Sequence, residues 1–206
     1  MAKEANQAEL RESDVDPNPL VQFQRWYQEV LQAGIVEPTA MALATASSDG
    51  VPSARMVLLK GLDQRGFVFF TNYESPKGKD LAENPRAALL FWWGVFQRQI
   101  RISGTIERVS AAESDEYFRT RPVGSRLGAV ASKQSTVLAS RAALEQQVEK
   151  LRATYSDRNV PRPDWWGGYR IAPSVIEFWQ GRQDRLHDRL RYTKKNDRWI
   201  IERLSP

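Results

Sequence analysis

Residues 87–109 read AALLFWWGVFQRQIRISGTIERV and contain two consecutive β-strands. Ala87–Trp93 is apolar throughout. Arg98–Val109 places isoleucines in near alternation at positions 100, 102 and 106, which is the pattern of a strand with one buried face. Gly94 supplies the turn that joins the two strands. Consecutive strands joined by a turn pair antiparallel, so this stretch predicts an antiparallel sheet.

The strand pattern continues on both sides of this stretch. Upstream, turns at residues 48–50 and at Gly66 predict a three-strand meander of Met41–Ala46, Pro52–Leu59 and Phe67–Thr71. Downstream, four short strands are expected at Gly168–Ile171, Val175–Trp179, Arg189–Thr193 and Trp199–Leu204. Strand–helix–strand alternation is not sustained. The nine strands therefore predict an α+β fold, with a mainly antiparallel sheet closed or split as a barrel and with peripheral helices.

Four helices are expected around this sheet. Asn18 caps the first, which ends at Gly34, and the second runs from Ser75-Pro76 to Asn84-Pro85. A capping box of Ser110 and Glu113 starts the third, through Phe118, and a Gly- and Ser-rich loop leads to the fourth, Arg141–Tyr155. Leu144, Val148, Leu151 and Tyr155 mark its expected buried face. Residues 1–16 are expected to be a flexible segment before a single domain at 17–206.

The composition excludes several classes of site. The chain has no cysteine and one histidine, His187, so disulfides, thiolate catalysis and a cysteine- or histidine-based metal site are not expected. The longest charge-free runs, Pro38–Ser48 and Ala87–Gln97, reach about half of the ~20 apolar residues of a membrane helix, and a soluble cytoplasmic protein is expected. The net charge of +5 is spread along the chain, which favours a small phosphorylated ligand at least as much as a nucleic acid.

Two sets of polar residues are candidates for anion binding. Arg55 and Lys60 flank an apolar run, and a regular strand would place them on opposite faces. Tyr117, Arg121 and Ser125 follow one another at intervals of four, which brings a phenol, a guanidinium and a hydroxyl together for a phosphate. A strand with solvated ends and an ordinary exposed turn are the alternative interpretations.

A third candidate lies near the C-terminus. In a strand, Arg185, His187 and Arg189 would project from one face, where three cationic or titratable groups repel one another unless an anion binds them. A lone histidine that simply satisfies its hydrogen bonds is the alternative. The loop residues Gln134 and Ser135, after Lys133, form a fourth and weaker candidate with free donors.

Nine motifs occur in an order that makes the sequence similar to a known family. They are RMVLLK (55–60), FFTN-x-x-S-x-KG (69–78), RQ-x-R-x-x-G (98–104), YF-x-x-RP-x-x-S (117–125), SKQS (132–135), WWGGYR (165–170), EFWQG (177–181), RLHDR (185–189) and ERLSP (202–206). From about Pro19 to Pro206 the chain resembles the pyridoxine/pyridoxamine 5′-phosphate oxidase family.

The resemblance implies an FMN-binding split barrel and a homodimer with FMN in clefts between the subunits. It also implies oxidation of pyridoxamine and pyridoxine 5′-phosphates to pyridoxal 5′-phosphate, with O₂ as acceptor, hydrogen peroxide as product and ammonia released from the amine. Hydride would pass from the substrate C4′ to the flavin.

The resemblance also implies site residues. The family's FMN contacts fall on Arg55, Val57, Leu58, Lys60, Phe70, Thr71, Lys77, Gln99, Gln134, Ser135, Trp179 and Arg189. Its substrate contacts fall on Lys60, Tyr117, Arg121, Ser125, Arg185 and His187. Arg185 and His187 are the expected catalytic residues, because the resemblance places them beside the substrate ring.

Two departures from the family pattern bear on this interpretation. Pro76-Lys77 stands where family members commonly have Arg-Lys, so one cation near the flavin phosphate is missing. Arg11 has no tyrosine near it in the sequence, so no lid residue is assigned. The alternatives are an FMN oxidase of another ring, as in phenazine biosynthesis, a flavin- or pyridoxal-phosphate-binding protein without turnover, and a basic nucleic-acid-binding barrel.

Overall fold

A computed structural model describes residues 9–155 and 159–206 of the chain. Within them, nine strands form one sheet: β1 Ala40–Ala46, β2 Pro52–Leu58, β3 Gly61–Asp63, β4 Gly66–Asn72, β5 Arg86–Trp93, β6 Arg98–Arg108, β7 Trp166–Gln180, β8 Asp188–Lys195 and β9 Arg198–Arg203. Every strand pairing is antiparallel, which confirms the predicted strand direction.

The order of the strands curls the sheet into a barrel. The path runs β2-β1-β5-β6-β7-β4-β3, with β8 and β9 added beside β7. Its two end strands, β2 and β3, are consecutive in the chain and are linked by Leu59 and Lys60. The backbone N–H of Leu59 still donates to Thr39 beside β1, whereas that of Lys60 already donates to Val68 on β4. The chain therefore changes its pairing partner between these two residues.

The described part of the chain also contains five α-helices: α1 Pro19–Gln32, α2 Pro76–Glu83, α3 Ala111–Thr120, α4 Val123–Ala131 and α5 Arg141–Thr154. The predicted caps are confirmed. The Asn18 side chain accepts from Leu20 at the start of α1, and Ser110 and Glu113 form the capping box of α3. Both caps satisfy backbone N–H groups that a helix start leaves unpaired.

The core lies inside the barrel and is closed by α1. Phe23 of that helix is fully buried and packs its ring against Phe67, Phe91 and Trp93, with centroids 4.9, 5.1 and 5.8 Å away. Alternate residues of β5, Leu90 and Trp92, face outward and stay 37% and 56% exposed.

The structure corrects four expectations. β4 pairs with β3 and β7, not with β2, so the three-strand meander is wrong. The two strands expected over residues 168–179 are one strand, β7, which continues through an irregularity opposite Ser103 and Gly104. The stretch expected to be a Gly- and Ser-rich loop contains helix α4. The expected buried face of α5 is only half-buried in the single chain.

Residues 9–16 precede the domain and contact it. Leu10 is buried, its N–H donates to Asp188 at 3.1 Å, and the Tyr192 hydroxyl donates to the carbonyl of Asp16 at 2.8 Å. Residues 1–8, the rest of the segment expected to be flexible, lie outside the described residues, and its mobility stays a prediction. Over residues 9–155 and 159–206, no helix has both the length and the apolar character needed to cross a membrane.

Candidate functional site

One large cavity collects most of the candidate residues. It has a volume of about 890 Å³ and opens between β2, β4, α2, α3 and α4. Twelve of the residues named from the sequence line it: Arg55, Val57, Leu58, Lys60, Phe70, Thr71, Lys77, Tyr117, Arg121, Ser125, Gln134 and Ser135. We call this space the main cavity.

Arg55 and Lys60 both line the main cavity, although a regular strand would send them to opposite faces. The strand prediction fails because β2 ends at Leu58 and the chain then turns to pair with β4. Closure of the barrel therefore brings the two cations to one space.

Lys77 carries a buried positive charge at one part of the main cavity. Its side-chain Nζ donates to Gln134 Oε1 at 2.9 Å and to Ser75 Oγ at 3.2 Å, and the residue is only 8% exposed. Burial, and secondly the charge of Arg55, lower the pKa of Lys77. An anion bound here would offset both effects, because it favours the charged ammonium.

Side chains of β1 and β2 hold Arg55 next to Lys77. Its guanidinium donates to Thr45 Oγ1 at 2.7 Å and to Ser53 Oγ at 2.6 Å, and Asp80 lies 3.9 Å away. Burial lowers the pKa of Arg55, and Asp80 acts in the opposite direction. The side chain is thus fixed in orientation while most of its partners are neutral.

A second group of contacts in the main cavity surrounds Arg121. Tyr117 stacks on Phe70 with centroids 4.0 Å apart, and Trp166 stacks on Phe70 at 5.5 Å. The guanidinium carbon of Arg121 lies 4.7 Å from the Trp166 ring centroid, and its Nη1 atom is buried without a hydrogen-bond partner. Burial lowers the pKa of Arg121 and raises that of the Tyr117 hydroxyl.

The Arg121-Pro122 turn separates α3 from α4. Both helices contribute a residue to the cavity near Arg121: Tyr117 lies on α3 and Ser125 on α4. Arg121 has extended backbone angles as the C-cap of α3, and Pro122 precedes α4. Because Pro disfavours helical geometry in the residue before it, the turn is encoded locally. Ser125 lies in the first turn of α4, so the sequence interval of four continues into a second helix.

An ion cluster around the buried Arg170 fixes the start of α3. Arg170 on β7 donates to Glu113 at 2.9 Å and to Asp63 on β3 at 3.2 Å. The hydrogen bond from Arg170 is the largest cause that lowers the pKa of Glu113 to about 2. The cluster joins α3, which bears Tyr117, to β3, which directly follows Lys60.

Two glycines of β7 allow aromatic side chains to approach this strand closely. A Cβ at Gly168 would lie 2.8 Å from Phe70 Cε1, and one at Gly167 would collide with the Tyr73 hydroxyl. Only glycine therefore permits this approach of β4 to β7.

Five candidate residues lie outside the main cavity, and we call them the outer group: Gln99, Trp179, Arg185, His187 and Arg189. Gln99, Trp179 and Arg189 are Cα partners in one row across β6, β7 and β8. The exposed Trp92 continues this row on β5. Arg189 donates to Glu177 and to the carbonyl of Ser205, each at 2.9 Å.

Arg185 and His187 lie in the turn before β8. The expectation that they project from a strand with Arg189 is wrong, because β8 begins only at Asp188. Arg185 has a φ of 62°, a left-handed conformation that is uncommon in residues other than glycine and clusters at functional sites. The His187 ring lies 4.5 Å from the Trp179 ring, and its Nδ1 accepts the backbone N–H of Arg182 at 3.1 Å.

The outer group is distant from the main cavity of the same chain. Phe70 is the partner of Gly168 on β7, whereas Gln99 is the partner of Trp179 on the same strand. These two points of β7 are eleven residues apart, which is at most about 36 Å along an extended strand. The resemblance assigned residues of both groups to one FMN and one substrate, and the single chain does not bring them together.

The sequence reasoning missed Trp166, Ser53 and Thr120, which also line the main cavity. The motif WWGGYR contained the signal for Trp166, since two glycines after a pair of aromatic residues indicate close packing of the backbone. Ser53 and Thr120 have no comparable signal, because single hydroxyl residues at the ends of elements are common.

Comparison with known proteins identifies the family. The family model for pyridoxamine 5′-phosphate oxidase matches residues 27–155, and that for the pyridoxine 5′-phosphate oxidase C-terminal dimerisation region matches residues 166–206. The chain belongs to the pyridoxamine 5′-phosphate oxidase family. The suspected resemblance is confirmed, and the dimerisation region supports a homodimer of this oxidase-family protein.

Relatives in this family cover the chain almost completely. A pyridoxine/pyridoxamine 5′-phosphate oxidase of Cyanothece sp. is 57% identical over 206 residues, which are 100% of this chain and 97% of the relative. One from Burkholderia lata is 58% identical over 204 residues, or 98% and 95% of the two chains.

Solved structures confirm the split-barrel fold of the family. PhzG from Burkholderia lata, in complex with tetrahydrophenazine-1-carboxylic acid, has a TM-score of 0.92 and 35% identity, and the match covers 98% of this chain and 100% of PhzG. A pyridoxamine 5′-phosphate oxidase-related, FMN-binding protein of Nostoc punctiforme has a TM-score of 0.72 at 16% identity over 89% and 97% of the chains, which bears on the fold alone.

Proposed function

We propose that the protein is an FMN-dependent oxidase that converts pyridoxamine and pyridoxine 5′-phosphates to pyridoxal 5′-phosphate. The observation that carries the proposal is the presence of two cationic groups in one cavity, Arg55 with Lys77 and Lys60 with Arg121. Each group suits one phosphate, and two phosphates correspond to a phosphorylated cofactor and a phosphorylated substrate.

The cofactor is FMN, and its phosphate is bound by Arg55, Lys77 and Ser135. Lys77 is buried with neutral hydrogen-bond partners, so a phosphate improves its environment. The sequence has no dinucleotide fingerprint, which favours a mononucleotide over FAD. When bound, FMN supplies a hydride acceptor that O₂ reoxidises, with hydrogen peroxide as the product.

The substrate phosphate is bound by Lys60, Tyr117, Arg121 and Ser125. Together these side chains provide two cations and two hydroxyl donors, and the Arg121 Nη1 atom has no partner within the described residues. A substrate without the phosphate would leave the buried Arg121 guanidinium unpaired, which is costly. The main cavity therefore selects phosphorylated forms of the vitamin.

The outer group of one subunit completes the main cavity of its partner. The eleven-residue separation along β7 keeps the outer group of a chain away from its own cavity. A two-fold dimer presents the same surface of both chains to each other, so it creates two equivalent shared sites. The exposed Trp92 beside the outer group supplies apolar surface for such a contact.

Arg185 and His187 orient the substrate ring at the reacting carbon. The N–H of Arg182 binds His187 Nδ1, which fixes the ring and leaves Nε2 to face a ligand. The left-handed backbone at Arg185 directs its side chain from a rigid turn. With both residues in place, the alcohol gives the aldehyde directly, and the amine gives an imine whose hydrolysis releases ammonia.

An FMN oxidase of a phenazine precursor is the second candidate, favoured by the TM-score of 0.92 with PhzG. Two proteins of Burkholderia lata weigh against it. This chain is 58% identical to the pyridoxine/pyridoxamine 5′-phosphate oxidase of that organism and 35% identical to its PhzG.

Cofactor-binding and turnover assays on the purified protein distinguish these functions. We expect it to bind FMN more tightly than riboflavin or FAD, and to form the 4′-aldehyde and hydrogen peroxide from pyridoxamine 5′-phosphate. Turnover of tetrahydrophenazine-1-carboxylic acid but of neither vitamin phosphate would favour the second candidate. FMN binding without turnover of any of these compounds would identify a flavin-binding protein that is not an oxidase.

A further inference from the structure

The positive charge of Arg121 has an unusual set of neighbours. Within residues 9–155 and 159–206, no carboxylate forms an ion pair with it, and its side chain makes no hydrogen bond. The guanidinium is half-buried, and its Nη1 atom has no access to solvent. A desolvated cation in this state needs another interaction to keep its orientation.

Aromatic faces provide that interaction. The guanidinium carbon of Arg121 lies 4.7 Å from the centroid of Trp166 and 5.6 Å from that of Phe118. Both distances fall within the range of cation–π attraction, and an indole gives the strongest attraction of the aromatic side chains. Trp166 is therefore the main contact of the Arg121 charge.

Trp166 is itself held firmly. It is 7% exposed, stacks on Phe70 and Tyr117 with interplanar angles of 11° and 8°, and meets the edge of Phe118 at 5.0 Å. A ring packed on several sides cannot rotate without disturbing its neighbours. It can thus fix the plane of the guanidinium that lies on it.

An aromatic ring and a carboxylate would affect the hydrogen-bonding capacity of Arg121 differently. A carboxylate would neutralise Arg121 and occupy the N–H groups that form a bidentate contact. An indole face attracts the charge but accepts none of the in-plane N–H donors, so these keep their capacity to bind an anion. The arrangement orients the cation while it keeps its capacity for a phosphate.

We propose that Trp166 is a positioning residue that holds the Arg121 guanidinium ready for the substrate phosphate and so sets the preference for phosphorylated over unphosphorylated substrates. The inference rests on the proposed function, in which Arg121 binds that phosphate. It gives a role to the WWGGYR motif, to which the family resemblance assigned no site residue.

The test compares Trp166→Leu and Trp166→Phe in the FMN-loaded protein, with the exposed neighbour Trp165→Leu as the matched control. For Trp166→Leu, KM for pyridoxine 5′-phosphate should rise roughly three- to thirtyfold, the range of a cation–π contact, with kcat nearly unchanged. Trp166→Phe should give a smaller rise. The kcat/KM for unphosphorylated pyridoxine should fall much less than that for the phosphate, and Trp165→Leu should behave as wild type.

A double-mutant cycle separates positioning from a general packing role. In an Arg121→Ala background, Trp166→Leu should have no further effect on KM, because the side chain that it positions is absent. Additive losses in the double variant would overturn the inference, as would an equal loss of kcat/KM for phosphorylated and unphosphorylated substrates.

A measurement of phosphate binding tests the role of Trp166 even if the proposed function is wrong. If the wild-type protein fails to oxidise either vitamin phosphate, the proposed function is wrong, and titration of the FMN-loaded protein with inorganic phosphate then tests Trp166. Weaker phosphate binding by Trp166→Phe and Trp166→Leu than by Trp165→Leu supports the positioning role. Equal binding by all three variants overturns it.

Discussion

The main cavity and the outer group both contain arginines, but in opposite electrostatic settings. In the main cavity, Arg121 lies on the indole face of Trp166. Arg55 has its carboxylate neighbour, Asp80, at the longer distance of 3.9 Å. In the outer group, Arg189 donates to Glu177 at 2.9 Å and to a main-chain carbonyl. The charges of the cavity are thus left for a ligand, whereas the charge of Arg189 is already paired.

This difference indicates that the main cavity and the outer group have different roles. Cations that are not hydrogen-bonded to a carboxylate attract phosphates, because each bound anion offsets the cost of burial. A paired arginine beside the indole of Trp179 and the imidazole of His187 forms a rigid polar surface. We infer that the cavity supplies binding energy, and that the outer group, delivered by the partner subunit, orients the reacting part of the substrate.

The largest effect is expected from mixing two defective proteins. Arg121→Ala damages the main cavity and His187→Ala the outer group, and each homodimer should lose roughly ten- to hundredfold in kcat/KM. If the two groups meet across a dimer, half of randomly mixed dimers are hybrids with one intact site. Mixed subunits should then recover about a quarter of the wild-type activity.

Differently tagged subunits would verify the exchange in this experiment, and self-mixed samples of each variant serve as controls. Activity that stays at the level of the single variants, in spite of verified exchange, would mean that both groups serve the same chain.

The second prediction concerns kinetic constants of the two groups. Arg121→Ala should raise KM for pyridoxine 5′-phosphate roughly ten- to hundredfold, because a charge-assisted contact is worth about 1.5–3 kcal/mol in ground and transition states alike. Arg185→Ala and His187→Ala should lower kcat more than Arg121→Ala does, since they act at the reacting carbon. Steady-state kinetics would contradict these roles if Arg121→Ala lowered only kcat and the other two changed only KM.

The third prediction uses the pKa of Lys77, which burial and Arg55 lower. As pH rises through this lowered pKa, the ammonium loses its proton, so FMN binding should weaken, by roughly tenfold for complete loss of the charge. Below it, binding should be constant. FMN titrations at several alkaline pH values measure the effect, and riboflavin, which has no phosphate, serves as the control ligand.

Lys77→Met provides the matched variant for this titration. It should bind FMN weakly at neutral pH and show no pH dependence in the same window. In the protein without FMN, the unfolded chain binds more protons than the folded chain between the lowered and the ordinary pKa, so the free energy of unfolding should rise with pH there. A wild-type FMN affinity that increases over this window would refute the placement of the phosphate at Lys77.

The smallest effect is expected at Pro76, where the family pattern has a cation. Pro76 is exposed, lines the main cavity and begins α2, one residue before Lys77. Pro76→Arg should tighten FMN binding about two- to fivefold, the range of an exposed ion pair, and should leave riboflavin binding unchanged. Calorimetric titration with both ligands would detect this. No gain with FMN would show that Arg55 and Lys77 already satisfy the phosphate.

The sequence predicted correctly the features that depend on residues close together in the chain. The Asn18 cap, the capping box of Ser110 and Glu113, and the alternation in residues 98–108 depend on neighbours a few positions away, and all three are confirmed. The meander failed because strand pairing depends on closure of the barrel, which gives β4 to β7. Helix α4 was missed because its small residues and glycines carry a weak helical signal.

The residues of the main cavity were named partly from their own pattern and partly from the family resemblance, and their placement there was decided by the fold. By itself, the sequence determined a mainly antiparallel sheet with capped helices, since side-chain periodicity and capping act over short distances. Only the tertiary structure brought Lys60 beside Arg55, placed Trp166 under Arg121, and separated the outer group along β7. The physical reason is that these placements follow from how a twisted sheet closes on itself, which depends on every strand at once.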